Sequence, residues 1–398
     1  MLGTATHGTI SGAAQNTSVG IGAMDAITSA EYTVAIGYNA ATALTSGAYN
    51  TAVGGNAFLA SQDGHSNTAI GMSALKVNTS GHSNVSVGRN SLFANIDGVQ
   101  CTVVGMDAMK TATSDDGAAV FGYLAGRDMN GATHTTLIGA YSGYKISTGD
   151  KNTFVGTESG PQGGAGTGGE NTGVGYNVLA ANTDGHSNVA IGPWALDANT
   201  TGDWNVAIGK YALSSTQTTN SNTAVGNEAM SSNTGEHNTG VGYQALRLNV
   251  DGNANVSVGF ETLMTSVSAD YQTAVGYAAL KYATGGVNTA VGQKAGGNIR
   301  AGVENVAVGK EALLSAANSD ASNNTAVGTE SMKVNTTGTQ NAAFGKAAMI
   351  LNTTGNYNTA LGAYALKSNQ TGSSNVAIGW QAMTTGQQAG SENVAVGK

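Results

Sequence analysis

The sequence predicts an all-β chain, a parallel β-solenoid (β-roll) of about 23 coils with a 17-residue repeat. Three observations carry that prediction. The block Asn50-Thr51-Ala52-Val53-Gly54 returns at residues 67–71, 222–226, 288–292 and 324–328, and close variants such as Asn188-Val189-Ala190-Ile191-Gly192 fill the gaps. Counted from Asn16 the block starts 23 times, usually 17 residues apart and occasionally 16, 18 or 19. A fixed short period is the mark of stacked structural repeats. The composition agrees: of 398 residues 59 are Gly, only 10% are charged and 6% aromatic, and two are Pro, which suits a repetitive fibre better than a set of globular domains.

Positions are numbered here from the first residue of each block. Position 1 is Asn in 18 of 23 coils, position 2 is Thr, Val or Ala, and position 3 is mostly Ala. Position 4 is always Val, Ile, Leu or Phe, and position 5 is always Gly. Positions 2 to 4 read as a short strand rich in β-branched residues, with 2 and 4 on one face and 3 on the other. Both faces avoid charge, so one is expected to fill the coil and the other to meet sister chains about a threefold axis. Gly at 5 implies a corner with positive φ or a close backbone approach. Position 8 is mostly Ala and position 9 usually Leu or Met, as in Leu75, Leu246 and Met383. Positions 12 to 17 are polar, with a second corner near a Thr-x-Gly segment around position 15. Seventeen residues are too few for a strand–helix–strand unit and suit one flat turn, with neighbouring turns about 4.8 Å apart.

Position 1 would stack on its counterparts, so its side-chain amides are expected to form a hydrogen-bonded ladder. A turn-forming Asn is the alternative, but Asp and Ser, equally good at turns, never occupy the position. In three consecutive coils position 3 grows to Val120, Leu137 and Phe154 while position 9 shrinks to Gly126, Gly143 and Gly160. Close-packed interiors conserve volume, so the two positions are expected to share one space. Strand parity puts that space on the side away from position 4, as an inter-chain seam. Two coils break the pairing: Val103 keeps Met109, and Ala290 accompanies Gly296.

Domain organisation follows the repeat. Residues 1–15 fit no coil and read as a lead-in or docking segment. Residues 16–398 form the repeat rod. The Gly-rich stretch within 157–170 is its only candidate joint or loop. Met1 to His7 has neither a basic nor an apolar region and does not read as a secretory signal.

The blocks Thr33-Val34-Ala35-Ile36-Gly37 and N-x-A-[VI]-G resemble the head repeats of trimeric autotransporter adhesins, as also found in phage tail fibre proteins. The resemblance spans nearly the whole chain. It implies a parallel β-roll, three chains side by side and attachment to surfaces, and it brings no catalytic residues. The coil is longer than in those adhesin heads, and neither a signal peptide nor a membrane anchor is recognised. Both departures favour the phage-fibre branch.

Function classes narrow accordingly. A net charge of −8 and a pI near 5.1 speak against nucleic acid and anionic membrane surfaces as partners. No apolar run is long enough for membrane insertion. Cys101 stands alone, so no intramolecular disulfide can form. There is no nucleophile elbow, zinc-protease motif, phosphate-binding loop or paired Cys ligand set, so no catalytic residue, cofactor or metal is expected. His65, His82, His186 and His237 all fall at position 16 and read as solvated turn residues, with His65 and His82 close enough to stack. Aromatics concentrate at positions 6 and 7, just past the Gly corner. Tyr38, Tyr176, Trp194, Tyr211, Tyr243, Phe260, Tyr277 and Trp380 are the candidate surface-binding residues, with packing along the corner or between chains as the alternative role.

The expected function is a non-enzymatic homotrimeric structural fibre, the shaft or spike of a phage tail fibre on the virion. It would bind a host cell-surface glycan or protein. A secreted bacterial surface adhesin or extracellular matrix filament is the first alternative. A downstream chaperone domain in the complete gene would mark the phage fibre, and a membrane barrel the adhesin. An ice-binding β-solenoid is the second alternative, because 13 of 23 coils carry Thr at position 2. Eight carry Val there, and a Thr/Val mixture fits a buried face as well.

Overall fold

A computed structural model of the chain describes residues 15–315, 319–384 and 389–398. It is all-β, and among the described residues there is no helix. The chain divides into two compact units, residues 1–204 and 205–398. In the first unit three-residue strands run from β1 (Thr17–Val19) to β11 (Val189–Ile191). In the second they run from β12 (Val206–Ile208) to β23 (Val394–Val396). Within each unit successive strands pair in parallel and in register, as in Thr51↔Thr68, Ala52↔Ala69 and Val53↔Ile70, or Val206↔Thr223, Ala207↔Ala224 and Ile208↔Val225. Each unit is therefore a parallel β-solenoid with the 17-residue repeat. Of the expected lead-in, residues 1–14 lie outside the described residues. The candidate joint is threaded into its neighbours: Gly160 N–H donates to the Val178 carbonyl at 2.8 Å, Lys145 N–H to Pro161 at 3.0 Å, and Ser147 N–H to Gly166 at 2.8 Å. The two units divide at Trp204/Asn205, outside that stretch.

Backbone bonds between coils run all round the perimeter, not only along the strands. Thr51 N–H donates forward to the Asn67 carbonyl at 2.8 Å, Gly71 N–H back to Val53 at 2.7 Å, and Asn56 N–H back to Tyr38 at 2.8 Å. Leu75 N–H donates forward to Ser91 at 3.1 Å, and Thr79 N–H to Ile96 at 2.9 Å. The swing between forward and backward donors comes from left-handed residues at positions 7, 9 and 17. The non-Gly residues at position 9, mostly Leu and Met, have φ of 44–57°. That conformation costs an L-residue about 1–2 kcal/mol. Here it is offset by an inter-coil hydrogen bond and by burial of an apolar side chain.

Position 5 is Gly for both of the expected reasons. Its φ lies at 116–154°, and a Cβ built on it would meet the carbonyl of the next coil's Gly, at 2.3 Å for Gly242 against Gly259.

The two strand faces are assigned differently from expectation. Position 3 points into the coil and is fully buried: Ala52, Ala69, Val103, Leu137 and Phe154 are all 0% exposed. Positions 2 and 4 point out, and Ile36, Ile70, Ile138 and Leu361 stand 39–50% exposed. The space shared by positions 3 and 9 is thus the coil interior and not an inter-chain seam. The reason is geometric: Leu or Met at position 9 folds back over position 3 from the opposite wall, leaving that interior room for little more than Ala.

Position 12 is the third occupant of the interior, and it accounts for the two coils that break the pairing. A Cβ on Gly126 would meet Met129 Sδ at 2.7 Å and Leu137 Cδ1 at 2.8 Å, and one on Gly143 would meet Ile146 Cδ1 at 2.7 Å. Met129 and Ile146 hold position 12, where Asn is common. Beside Gly296 the same position is Ile299, which supplies the bulk that Ala290 lacks. In the coil of Val103 and Met109 it shrinks to the buried Ala112. Volume is conserved over three positions.

Candidate functional site

The polar interior is built on two amide ladders. At position 1 the side chain ties the backbone of its own coil to that of the next. Asn67 N–H donates to Asn50 Oδ1 at 2.9 Å, and Asn67 Nδ2 donates to the Gly81 carbonyl at 2.9 Å. Direct amide-to-amide rungs accompany these, as in Asn358 to Asn341 at 3.1 Å and Asn375 to Asn358 at 3.0 Å. The expected ladder is present, but its regular bond is amide oxygen to backbone N–H.

A second ladder at position 12 went unrecognised in the polar stretch. Asn95 donates to Asn78 Oδ1 at 2.7 Å, and Asn352 to Asn335 and Asn369 to Asn352 at 3.0 and 2.8 Å. Each of these amides also donates to the position-15 carbonyl of its own coil, such as Asn95 to Gly98 at 3.2 Å. A run ends where the next coil lacks Asn. Accordingly Asn95 and Asn249, followed at position 12 by Ala112 and Ser266, each carry a buried Oδ1 with no partner.

Exceptions at position 1 have readable costs. Gln272 still receives nothing from the following coil: its Nε2 reaches the Gly285 carbonyl at 2.8 Å, but its longer arm leaves Oε1 buried and unpartnered. Gln272→Asn returns an amide oxygen to ladder depth opposite Asn288. It should raise stability by about 1 kcal/mol in denaturant unfolding. A loss of stability would contradict the ladder geometry. Cys101 replaces the amide with a thiol that donates to the Asp115 carbonyl at 3.1 Å. Burial pushes that thiol up to about 11, so the proton it donates stays in place at neutral pH. Asp115 is itself buried. Its Oδ1 accepts from Gly131 and Ala132 N–H at 3.1 and 2.8 Å while Oδ2 has no partner, and burial raises its pKa.

The outward face of positions 2 and 4 is a surface mostly of Thr, Val and Ile, with a few Ala, Phe and Leu, and without a charged residue in any coil. Exposed apolar members include Ile36, Ile70, Val85, Ile138 and Ile191 in the first unit, and Ile208, Val256, Val306, Leu361 and Ile378 in the second.

The candidate aromatics lie on the edge beyond the Gly corner. Tyr243, Phe260 and Tyr277 stack as one row, with centroids 5.1 and 5.4 Å apart. Tyr176 and Trp194 meet edge to face at 5.3 Å. Lys210 Nζ lies 4.9 Å from the Tyr211 ring, and Lys398 Nζ 4.8 Å from that of Trp380. Tyr38 is 60% exposed, between Ile21 and Gly55 in the adjoining coils. Trp194 and Tyr211 are half-buried, and the other six are exposed. His65 and His82 stack at 4.5 Å, and no cluster of three or more His, Cys, Asp or Glu among the described residues could hold a metal. No helix among them is long and apolar enough to cross a membrane.

One concavity of about 340 Å³ interrupts this edge. It is lined by Tyr277, Lys281, Tyr282, Lys294, Asn298 and Leu314 around Gly297. Position 10 carries Lys281 and Leu314 in the coils either side, and the side chain that Gly297 lacks leaves part of this cleft open. The pair Gly296-Gly297, unique among the position 9–10 pairs, was the available signal.

The chain matches no protein-family model, and no curated protein is significantly similar to it.

Proposed function

We propose that this chain is a non-enzymatic structural fibre, a homotrimeric shaft or spike of the phage tail-fibre type, carried on the virion and attaching to a host cell surface. The observation that carries the reading is the uncharged outward face at positions 2 and 4. Rows of exposed apolar side chains on a face without charge mark an interaction site. Its occupant must offer apolar rows at the inter-coil spacing, and the surface that does so without adjustment is the same face of another copy. Three copies closing about an axis would cover these faces and leave the aromatic edge outside. Amide ladders in the interior suit a body whose task is to hold shape.

Attachment is assigned to the aromatic edge, because its exposed Tyr and Trp rings combine apolar faces with polar tips. Host-cell or glycan-array binding should fall when Tyr243 and Trp380 are both replaced by Ala. Binding unchanged by both substitutions would return those rings to a packing role.

A second reading has its own support. Thr at position 2 proves to be outward-facing, so a flat Thr/Val array of the ice-binding kind is available on a single chain. Position 4 is never Thr, which weakens that match. Thermal hysteresis in a freezing assay would favour ice binding over trimer formation.

A further inference from the structure

We propose that the cleft at Gly297 is a binding site for a carboxylate-bearing sugar, a hexuronate residue of an acidic polysaccharide. This rests on the surface-attachment reading above and narrows it to one place and one chemistry. The cleft falls within the roughly 300–1,000 Å³ of small-molecule sites. Tyr277 is the last ring of the Tyr243–Phe260–Tyr277 row. Its inner face stacks on Phe260, and the next coil offers Gln293 at that position instead of a ring. The outer face of Tyr277 is left as an apolar platform at the cleft wall.

The charges are divided between acids and bases in a definite way. Lys281 is held by Glu261 at 2.6 Å. Glu311 is held by Lys333 at 2.7 Å. Lys294 lines the cleft, exposed, with no ion pair among the described residues; its charge also acts on the Glu311 carboxylate. Outside the lining, the Arg300 guanidinium lies 6.0 Å from the Tyr282 ring. A sugar ring on Tyr277 can therefore place its carboxylate on Lys294 and hydroxyls toward Asn298 and Tyr282. The Asn298 amide nitrogen donates one hydrogen to the Ser315 carbonyl at 3.0 Å, and its oxygen can accept from a sugar hydroxyl.

The test is calorimetric titration of the full chain with trigalacturonate, with maltotriose and inorganic phosphate as comparison probes. Trigalacturonate should bind, and the neutral sugar and phosphate should bind far more weakly. Lys294→Gln should weaken trigalacturonate by about tenfold, the factor carried by one charge-assisted contact. Gly297→Leu should abolish binding at a modest cost in stability: position 10 accepts Leu59 and Leu314 elsewhere and the φ of Gly297 is not in the positive range, but the added Cβ would meet Leu314 Cδ1 at 3.1 Å and the Lys294 carbonyl at 3.2 Å. Phosphate binding as tightly as trigalacturonate, or trigalacturonate binding that survives Gly297→Leu, would overturn the assignment. Absence of trigalacturonate binding while cell attachment still depends on Tyr243 and Trp380 would remove the cleft and leave the attachment reading standing. Cleft binding without cell attachment would do the reverse.

Discussion

Gly242→Ala should destabilise the second unit by about 4 kcal/mol or more, near the upper end for a single methyl group. Two effects add. The residue sits at φ +134°, where an L-side chain is strained by about 1–3 kcal/mol. The new Cβ would also lie 2.3 Å from the Gly259 carbonyl oxygen and 2.6 Å from its carbon, atoms of a backbone with no rotamer to yield. The coils must then separate, weakening the bonds on either side of the corner, such as Gly259 N–H to Val241 at 2.7 Å. Gly55→Ala is the internal comparison. Nothing lies within 4 Å of its added Cβ, so it should change stability by less than about 0.5 kcal/mol. Equal effects at the two sites in denaturant unfolding would contradict the close-approach account of position 5.

The Phe154–Gly160 pair carries the second large expectation. Phe154 is fully buried, and Phe154→Ala should cost about 3–5 kcal/mol. Gly160→Leu places a Cβ 2.5 Å from Phe154 Cδ2 and should cost at least about 1–3 kcal/mol through overpacking. The conformation adds to that cost, since Gly160 has φ +83°, beyond the 44–57° at which Leu and Met occupy position 9 elsewhere. The double variant restores the common Ala/Leu pair and should lose much less than the sum. Recovery should be incomplete, because Phe154 also covers Gly173 in the next coil, where an added Cβ would meet Cδ1 at 2.7 Å. Adding Gly173→Ala should then recover more. Additive losses in the double-mutant cycle would mean that positions 3 and 9 do not share a space.

The repeat and the corner glycines were legible because each imposes a residue type on every coil. The compensation between Phe154 and Gly160 was legible because volume is conserved. Which side of the strand it occupied was not, since alternation separates two faces without saying which is inside. Val and Ile at position 4 look like core residues, while the residues that seal the interior are the small Ala at 3 and the Leu at 9. The left-handed conformation of Leu75 or Leu246 leaves no mark on composition. It becomes visible only through the glycines that replace Leu at 126, 143, 160 and 296. Asn78 and Asn95 were hidden in a stretch polar throughout, where a buried amide and a solvated one look alike. Of the candidate site, the aromatic edge could be read from position, whereas the cleft depends on an absence at Gly297 between two larger neighbours.

The most direct test of the functional account is the mass of the purified chain by light scattering at micromolar concentration. If the outward face of positions 2 and 4 joins copies, the particle should have three times the 39.5 kDa chain mass. Charged substitutions at Ile208, Val256 and Val306 should dissociate it, because a charge buried unpaired in an apolar seam is strongly unfavourable. A stable monomer of the unsubstituted chain would contradict the account.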